Sequence, residues 1–332
     1  MAVLIPALRR GLWGALAVWM AGCAAVPAAD PPAATPVSTL AETDPPTDAE
    51  GKPLPPGVLS RAMRAYYADV ERSLRAQGLM RTEIAPKDAP LTRERLIGDF
   101  LRIALYDEYA DAGRGFIARL TPSHLRRWEQ PVRMVTQYGA SVPQAQRRAT
   151  DAEIRAYATR LQRASGHPVS LVPEGGNFTV FVVNEDERRA LGPQLKTLVP
   201  GIDRASLRAI TDLAPSNFCV VFAFSPPVRY DYSRAIAVIR AELPARLRSS
   251  CIEEELAQGM GLANDSPEAR PSIFNDDEEF SRLTRHDEML LRILYDPALR
   301  PGMTETQARP VVSDIATGLI GPTRTGPRAA HP

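Results

Sequence analysis

Between Cys251 and Asp265 the 332-residue chain sets Glu254, Glu255, Gln258, Gly261, Asn264 and Asp265 at offsets that could build a site. Glu254 and Gln258 stand one helical turn apart and share a face, with Glu255 about 100° round from Glu254. Gly261 can take the left-handed conformation that ends a helix and turn the chain so that Asn264 and Asp265 come back toward that face. One carboxylate and two amides are hard oxygen donors, which suit calcium or magnesium better than zinc. With a single firm negative charge among Glu254, Gln258 and Asn264, such a site is weak even with Asp265 beside it. Two carboxylates buried together can also split their pKa values and divide acid and base work. Neighbouring helix positions do not face each other, which counts against Glu254 and Glu255 acting that way. The imidazoles are few, namely His124, His167, His286 and His331, and none is at a ligand offset. His286 is read as a solvated or capping residue. The acidic run Asp276 to Glu279 is read as a solvated loop where calcium is the alternative. No cofactor is expected beyond that weak possibility of calcium or another metal.

The elements around this stretch follow from hydrophobic period. A helix from Pro244 to Met260 carries Ile252, Leu256 and Met260 four apart, facing a sheet. Upstream, Pro131–Gly139 alternates as a strand, and Thr150 with Glu153 reads as a capping box that opens a helix ending at Gly166. Strands follow at Pro168–Val172, Phe178–Val183, Phe218–Phe224 and Ala235–Arg240. Before all of these, two helices are expected, one from Val58 to a stop at Gly78 and one after Thr92. Tyr66 and Tyr67 lie on the first helix's apolar stripe and are read as core.

The first residues speak to compartment. Arg9 and Arg10 precede an apolar run, Gly11 to Met20, that is too short to span a bilayer and reads as a signal peptide. The run ends in Met20, Ala21, Gly22, Cys23, which resembles the lipobox of bacterial lipoproteins with methionine in place of the usual leucine. That resemblance implies cleavage before Cys23, acylation there and attachment to a membrane. With Ala24 next, it implies the outer membrane, facing the periplasm; secretion with a spare cysteine is the alternative. Nine prolines fall between Ala24 and Pro56, so residues 23–56 read as a solvated tether. Losing Arg9 and Arg10 from 40 basic residues leaves 38 against 39 acidic, and no basic stripe points to nucleic acid. Cys219 and Cys251 remain, and an oxidising compartment predicts that they pair, two buried thiols being the alternative.

The offsets Glu254, Glu255, Gln258, Gly261 and Asn264 match the zinc-protease pattern H-E-x-x-H-x-x-G-x-x-H with each histidine replaced. The chain here resembles the metzincins. Ser272, Ile273 and Phe274 resemble their Ser-Ile-Met turn, and Leu283 through Tyr295 resembles their closing helix, with Thr284 and Asp287 as a local capping pair. The order strand, helix, four strands, helix is that of the upper half of a zincin, whose fourth strand is the edge that receives substrate backbone. EEELAQGMGLANDS together with PSIFNDDEEFSRLTRHDEMLLRILYDP, over roughly Trp128 to Met303, resembles an uncharacterised family of Gram-negative lipoproteins, a domain of unknown function grouped with zinc-peptidase-like folds. The resemblance implies an α+β, zincin-like fold with a mixed sheet of about five strands and a motif helix, preceded by a helical N-terminal segment. The divisions expected are a signal peptide at 1–22, the tether at 23–56, helices at 57–127, the zincin-like domain at 128–303 and a tail at 304–332 whose end is disordered. It also implies that Glu255 holds the general-base place, and is catalytic only if the protein is active. The function expected is a membrane-anchored, catalytically silent, metallopeptidase-like protein that binds a peptide or envelope protein in its cleft. An active hydrolase and a structural envelope protein are the alternatives.

Overall fold

A computed structural model describes residues 57–111, 116–275 and 277–320. The expected signal peptide, Cys23, the tether and the end of the tail from Gly321 lie outside these residues. In chain order come α1 (Val58–Ala76), α2 (Arg93–Ala104), β1 (Tyr106–Asp111), β2 (Phe116–Pro122), β3 (Val132–Tyr138), α3 (Gln144–Ser165), β4 (Val169–Leu171) and β5 (Phe178–Val183). Then follow α4 (Glu185–Arg189), α5 (Gly192–Leu198), α6 (Arg204–Thr211), β6 (Cys219–Phe224), β7 (Arg234–Arg240), α7 (Ala245–Gln258), α8 (Arg285–Leu294) and α9 (Glu305–Ile320).

The fold is α+β. Its main sheet has the order β4-β3-β5-β7-β6, parallel except for β6, which runs antiparallel to β7 and forms an edge. Register runs from Phe178 opposite Ala235 to Val183 opposite Arg240 at the centre, and from Cys219 opposite Ile239 to Phe224 opposite Arg234 at the edge. Every residue of β5 is buried, as expected of a strand covered on both faces, which reads as an unbroken apolar run. Phe178, Val180 and Val182 look into the large core beneath α3 and α7, whereas Phe181 and Val183 join Leu195 and Ile210 in a smaller core under α5 and α6.

The large core also takes in Tyr67, Leu96, Phe100 and Ile103 from α1 and α2, so the N-terminal helices share the core of the sheet. Tyr67 is fully buried and its hydroxyl donates to the Pro215 carbonyl at 3.0 Å, whereas Tyr66, also read as core, is exposed, because the next position on a helix points about 100° away. Gly78 takes φ +79° just past α1, the stop that the sequence predicts.

Three expectations about the elements also change. The segment 57–127, read as helical, also holds the antiparallel pair β1–β2; Asp107, Glu108 and Asp111 had masked its strand signal. Helix α3 starts six residues before the expected capping box, because Pro143 already supplies an extended entry at φ −61°, ψ 144°. Thr150 therefore sits buried inside the helix. The stretch after Thr304, read as a tail, forms α9 as far as Ile320, with Ala308, Val312 and Ala316 buried. Among the described residues no helix is long and apolar enough to cross a membrane.

At the C-terminal ends of β5 and β7 lies a buried ionic cluster. Glu185 receives both Arg188 (2.6 Å) and the Arg240 guanidinium, and Arg240 also donates to the carbonyls of Leu213 (2.8 Å) and Ala214 (2.9 Å). These bonds fasten the irregular stretch between α6 and β6 to the centre of the sheet. Burial raises the Glu185 pKa, but Arg188, Arg240 and Arg189 outweigh it and hold the carboxyl below its ordinary value.

Candidate functional site

Helix α7 is buried on several sides. Ile252, Leu256 and Met260 are fully buried, as the period predicts, and so are Ala257 and the carboxylate-bearing Glu253 and Glu255, the last two at 2% and 5% exposure. Glu254 and Gln258 are half-buried on their own face. Cys251 is bonded to Cys219, with Cα atoms 5.9 Å apart, so the predicted disulfide forms and ties α7 to the start of β6. Gln258 lies seven residues beyond Cys251, about 10 Å along the axis and roughly 20° round. The Glu254–Gln258 face therefore runs on from the point where the helix is joined to the edge strand.

The edge itself is open. Ala235 donates its N–H to the Asn177 carbonyl at 3.0 Å on the β5 side, so by alternation Ile236 and Val238 bond toward β6, to Phe222 and Val220. Val221 and Ala223 then present N–H and C=O groups outward, and among the described residues no strand pairs with them.

After α7 the chain turns sharply. Gly261 adopts φ +124°, and a Cβ there would lie 2.3 Å from the Arg126 carbonyl oxygen and 3.1 Å from Leu294 Cδ2. Glycine is required on both counts. The turn is held by two aromatic residues. Trp128 Nε1 donates to the Gly259 carbonyl at 2.8 Å, and the Tyr295 hydroxyl donates to the Met260 carbonyl at 2.8 Å. The sequence singled out Tyr295 only as the end of a closing helix and Trp128 only as a boundary; nothing in their spacing tells which carbonyl each would find.

Beyond the turn, the residues at ligand offsets part company. Gln258 Nε2 donates to Asp265 Oδ1 at 2.8 Å. Asn264 is fully buried, and its Nδ2 donates instead to the Arg102 carbonyl at the end of α2, 3.1 Å away, while its backbone N–H donates to the Ile103 carbonyl. Gln258 and Asp265 are thus brought together, and Asn264 is committed to a neighbouring helix. The side-chain amides that stand where imidazoles would be use their donors within the protein.

A buried carboxylate locks the following turn. Asp287 accepts from Ser272 Oγ (2.6 Å), the Ile273 N–H (3.0 Å), the Thr284 N–H (2.7 Å) and the Thr284 hydroxyl (2.9 Å). The expected Thr284–Asp287 capping box is present, and it also holds Ser272 to Phe274, with Phe274 fully buried. Burial raises the Asp287 pKa against the opposing pull of His286 and of these donors. Glu253 is likewise raised by burial, although it accepts from Leu283 N–H at 2.8 Å and pairs with Arg160 and Arg282.

A family model described as a protein of unknown function (DUF2927) matches residues 93–314. The chain belongs to that family. The match opens at the first residue of α2 and closes within α9, so in this chain it takes in α2, the β1–β2 pair, the sheet and α7 with its turns, a wider span than the Trp128–Met303 of the sequence resemblance. No curated protein matches the chain.

The residues of this DUF2927 site do not fit zinc. His286, expected to be solvated or capping, is buried instead, with Nε2 2.9 Å from Asp99 Oδ2 on α2. His124 stacks on Tyr230 at 4.6 Å, and His167 lies 4.7 Å from the Tyr295 ring with Nε2 at 2.8 Å from the Gln130 carbonyl. His331 is outside the described residues. Among the described residues no three His, Cys, Asp or Glu side chains converge on one point that could hold a metal ion. In the acidic run, read as a solvated loop, Asp277 is exposed as expected and Asp276 lies outside the described residues, but Glu279 is not free in solvent. Glu279 pairs with Arg81 (2.8 Å) and Arg270 (2.6 Å), which hold its carboxyl below the usual range, Arg270 foremost.

Proposed function

We propose that the chain is a catalytically silent, metallopeptidase-like envelope protein, anchored through an acylated Cys23 at the outer membrane and facing the periplasm, that takes up an extended peptide or protein segment beside β6. The observation that supports this reading is the covalent union of the motif helix with an antiparallel edge strand whose outer side pairs with no other strand among the described residues. Exposed strand edges bind extended backbone through main-chain hydrogen bonds. A zincin-like ancestry is supported by the position of the fourth strand of the sheet at its edge, the helix after the fifth, the left-handed Gly261 and the buried Ser272–Phe274 turn. Silence is supported by the chemistry of the donors: two amides committed to Asp265 and Arg102 cannot supply the neutral imidazole nitrogens that keep zinc a strong Lewis acid.

The test uses proline as a selective block. The Val221 N–H points away from the ladder, so Val221→Pro keeps the pairing with β7 yet removes an outward donor. A displayed library of random peptides should enrich extended binders on the wild-type chain and lose them on Val221→Pro. Absence of enrichment, or equal enrichment on both, would overturn the proposal. The anchor is tested separately: Cys23→Ser should release the chain from the membrane fraction.

A structural role for the acidic motif is favoured by the same two amide bonds. It predicts that Gln258→Ala lowers the melting temperature while leaving peptide enrichment intact.

A further inference from the structure

A second feature lies between α3 and α8, apart from the Glu254–Gln258 face of α7. Helices α3 and α8, with the end of α9, enclose a groove of about 410 Å³. Its walls carry Arg160 and Arg163 from α3 and Arg285, Glu288 and Arg292 from α8. Its apolar lining comes from Ala164, Met289 and Leu319.

The charges are unbalanced. Glu288 is the one acidic side chain of the wall, and Arg160 already holds it at 2.8 Å while also reaching Glu253 at 3.2 Å and the Leu283 carbonyl. Arg160 is thus a structural residue. Among the described residues Arg163, Arg285 and Arg292 form no ion pair; the contact of Arg292 in the groove is a 3.3 Å bond to the Arg163 carbonyl. All three side chains are on exposed residues. Arg285 and Arg292 are seven apart on α8, so they share a face about 10 Å apart along the axis. Three like charges along one groove give it a positive field that attracts anions.

We propose that this groove binds a phosphate-bearing anion. Guanidinium groups match phosphate oxygens with paired, charge-assisted hydrogen bonds, and three of them call for more than the single charge of a carboxylate. The apolar lining accommodates a carbon portion next to the phosphate. A soluble phosphate compound and a phospholipid headgroup share this chemistry.

The experiment is calorimetric titration of the full chain, carrying Cys23→Ser so that no acyl anchor contributes, with inorganic pyrophosphate at constant ionic strength. Binding is expected, and the triple change Arg163→Gln, Arg285→Gln, Arg292→Gln should weaken it by roughly tenfold or more. Arg155→Gln, on an exposed position of α3 outside the groove, should leave it unchanged. If the triple variant fails to fold by circular dichroism, Arg163→Gln and Arg292→Gln are measured singly, each expected to weaken binding several-fold. Vesicles of phosphatidylglycerol distinguish the sources: displacement of pyrophosphate by them assigns a headgroup, and undisturbed pyrophosphate binding assigns a soluble phosphate compound. No binding of pyrophosphate, or equal binding by the parent and the groove variants, overturns the proposal.

Discussion

Reduction of the Cys219–Cys251 bond releases the edge strand from the motif helix, and its effect can be worked out from the chain. The bond closes a loop with a sequence separation of 32. By loop-closure entropy a cross-link of that span stabilises the folded state by about 4 kcal/mol. For a domain of this size such a loss lowers the melting temperature by on the order of 10 °C. The loss should also be local at first. Val220 and Phe222 bond inward to β7, and their amides should exchange with solvent faster in the reduced protein, whereas Val180 and Val182 at the centre of the sheet should keep their protection. Urea unfolding of the oxidised and reduced chain, with hydrogen exchange read by mass spectrometry, measures both. The double change Cys219→Ala, Cys251→Ala should lose at least as much, because Cys251 is buried and its sulfur packs in the core. A stability difference under about 1 kcal/mol, or uniform loss of protection across the sheet, would refute the claim that this bond holds the edge against α7.

Two more outcomes follow from single side chains. Gly261→Ala should cost at least about 2 kcal/mol, since it combines a positive φ with a Cβ 2.3 Å from the Arg126 carbonyl; a change within about 0.5 kcal/mol in urea melts would show that the turn can relax. Glu185→Gln should cost about 3 kcal/mol near neutral pH by leaving Arg188 and Arg240 without their counter-charge. The folded-state pKa of Glu185 lies below its ordinary 4.5, so its contribution is fully present above 4.5 and is lost as pH falls through the folded value. The gap between variant and wild type should therefore be constant around neutrality and close in acid; a gap that widened on acidification would reverse the assigned sign.

Much of the scaffold was legible in the chain itself. The strands at Phe178–Val183 and Phe218–Phe224, the helix opened by Pro244, the caps at Thr92 and Thr284 and the pairing of two cysteines each follow from local period, from side-chain chemistry or from a count that admits one connectivity. Gly261 was legible as a turn because left-handed backbone disfavours every side chain. The pair β1–β2 was not, since Asp107, Glu108 and Asp111 break any apolar alternation in its first strand. The start of α3 was missed because Thr150 and Glu153 match a capping pattern that an upstream proline makes unnecessary.

Partnership at the candidate site was decided by the tertiary structure alone. Spacing placed Glu254, Gln258, Asn264 and Asp265 within reach of one another, yet Gln258 bonds to Asp265 and Asn264 to the end of α2, some 160 residues earlier in the chain. His286 looked like a solvated residue and is buried against Asp99, and Asp287 looked like a local cap and also holds the Ser272–Phe274 turn. A side chain's offset limits where its atoms can go within one turn of its own helix. Which acceptor it meets depends on elements packed from distant parts of the sequence, because a buried donor or acceptor must find a partner wherever the core brings one.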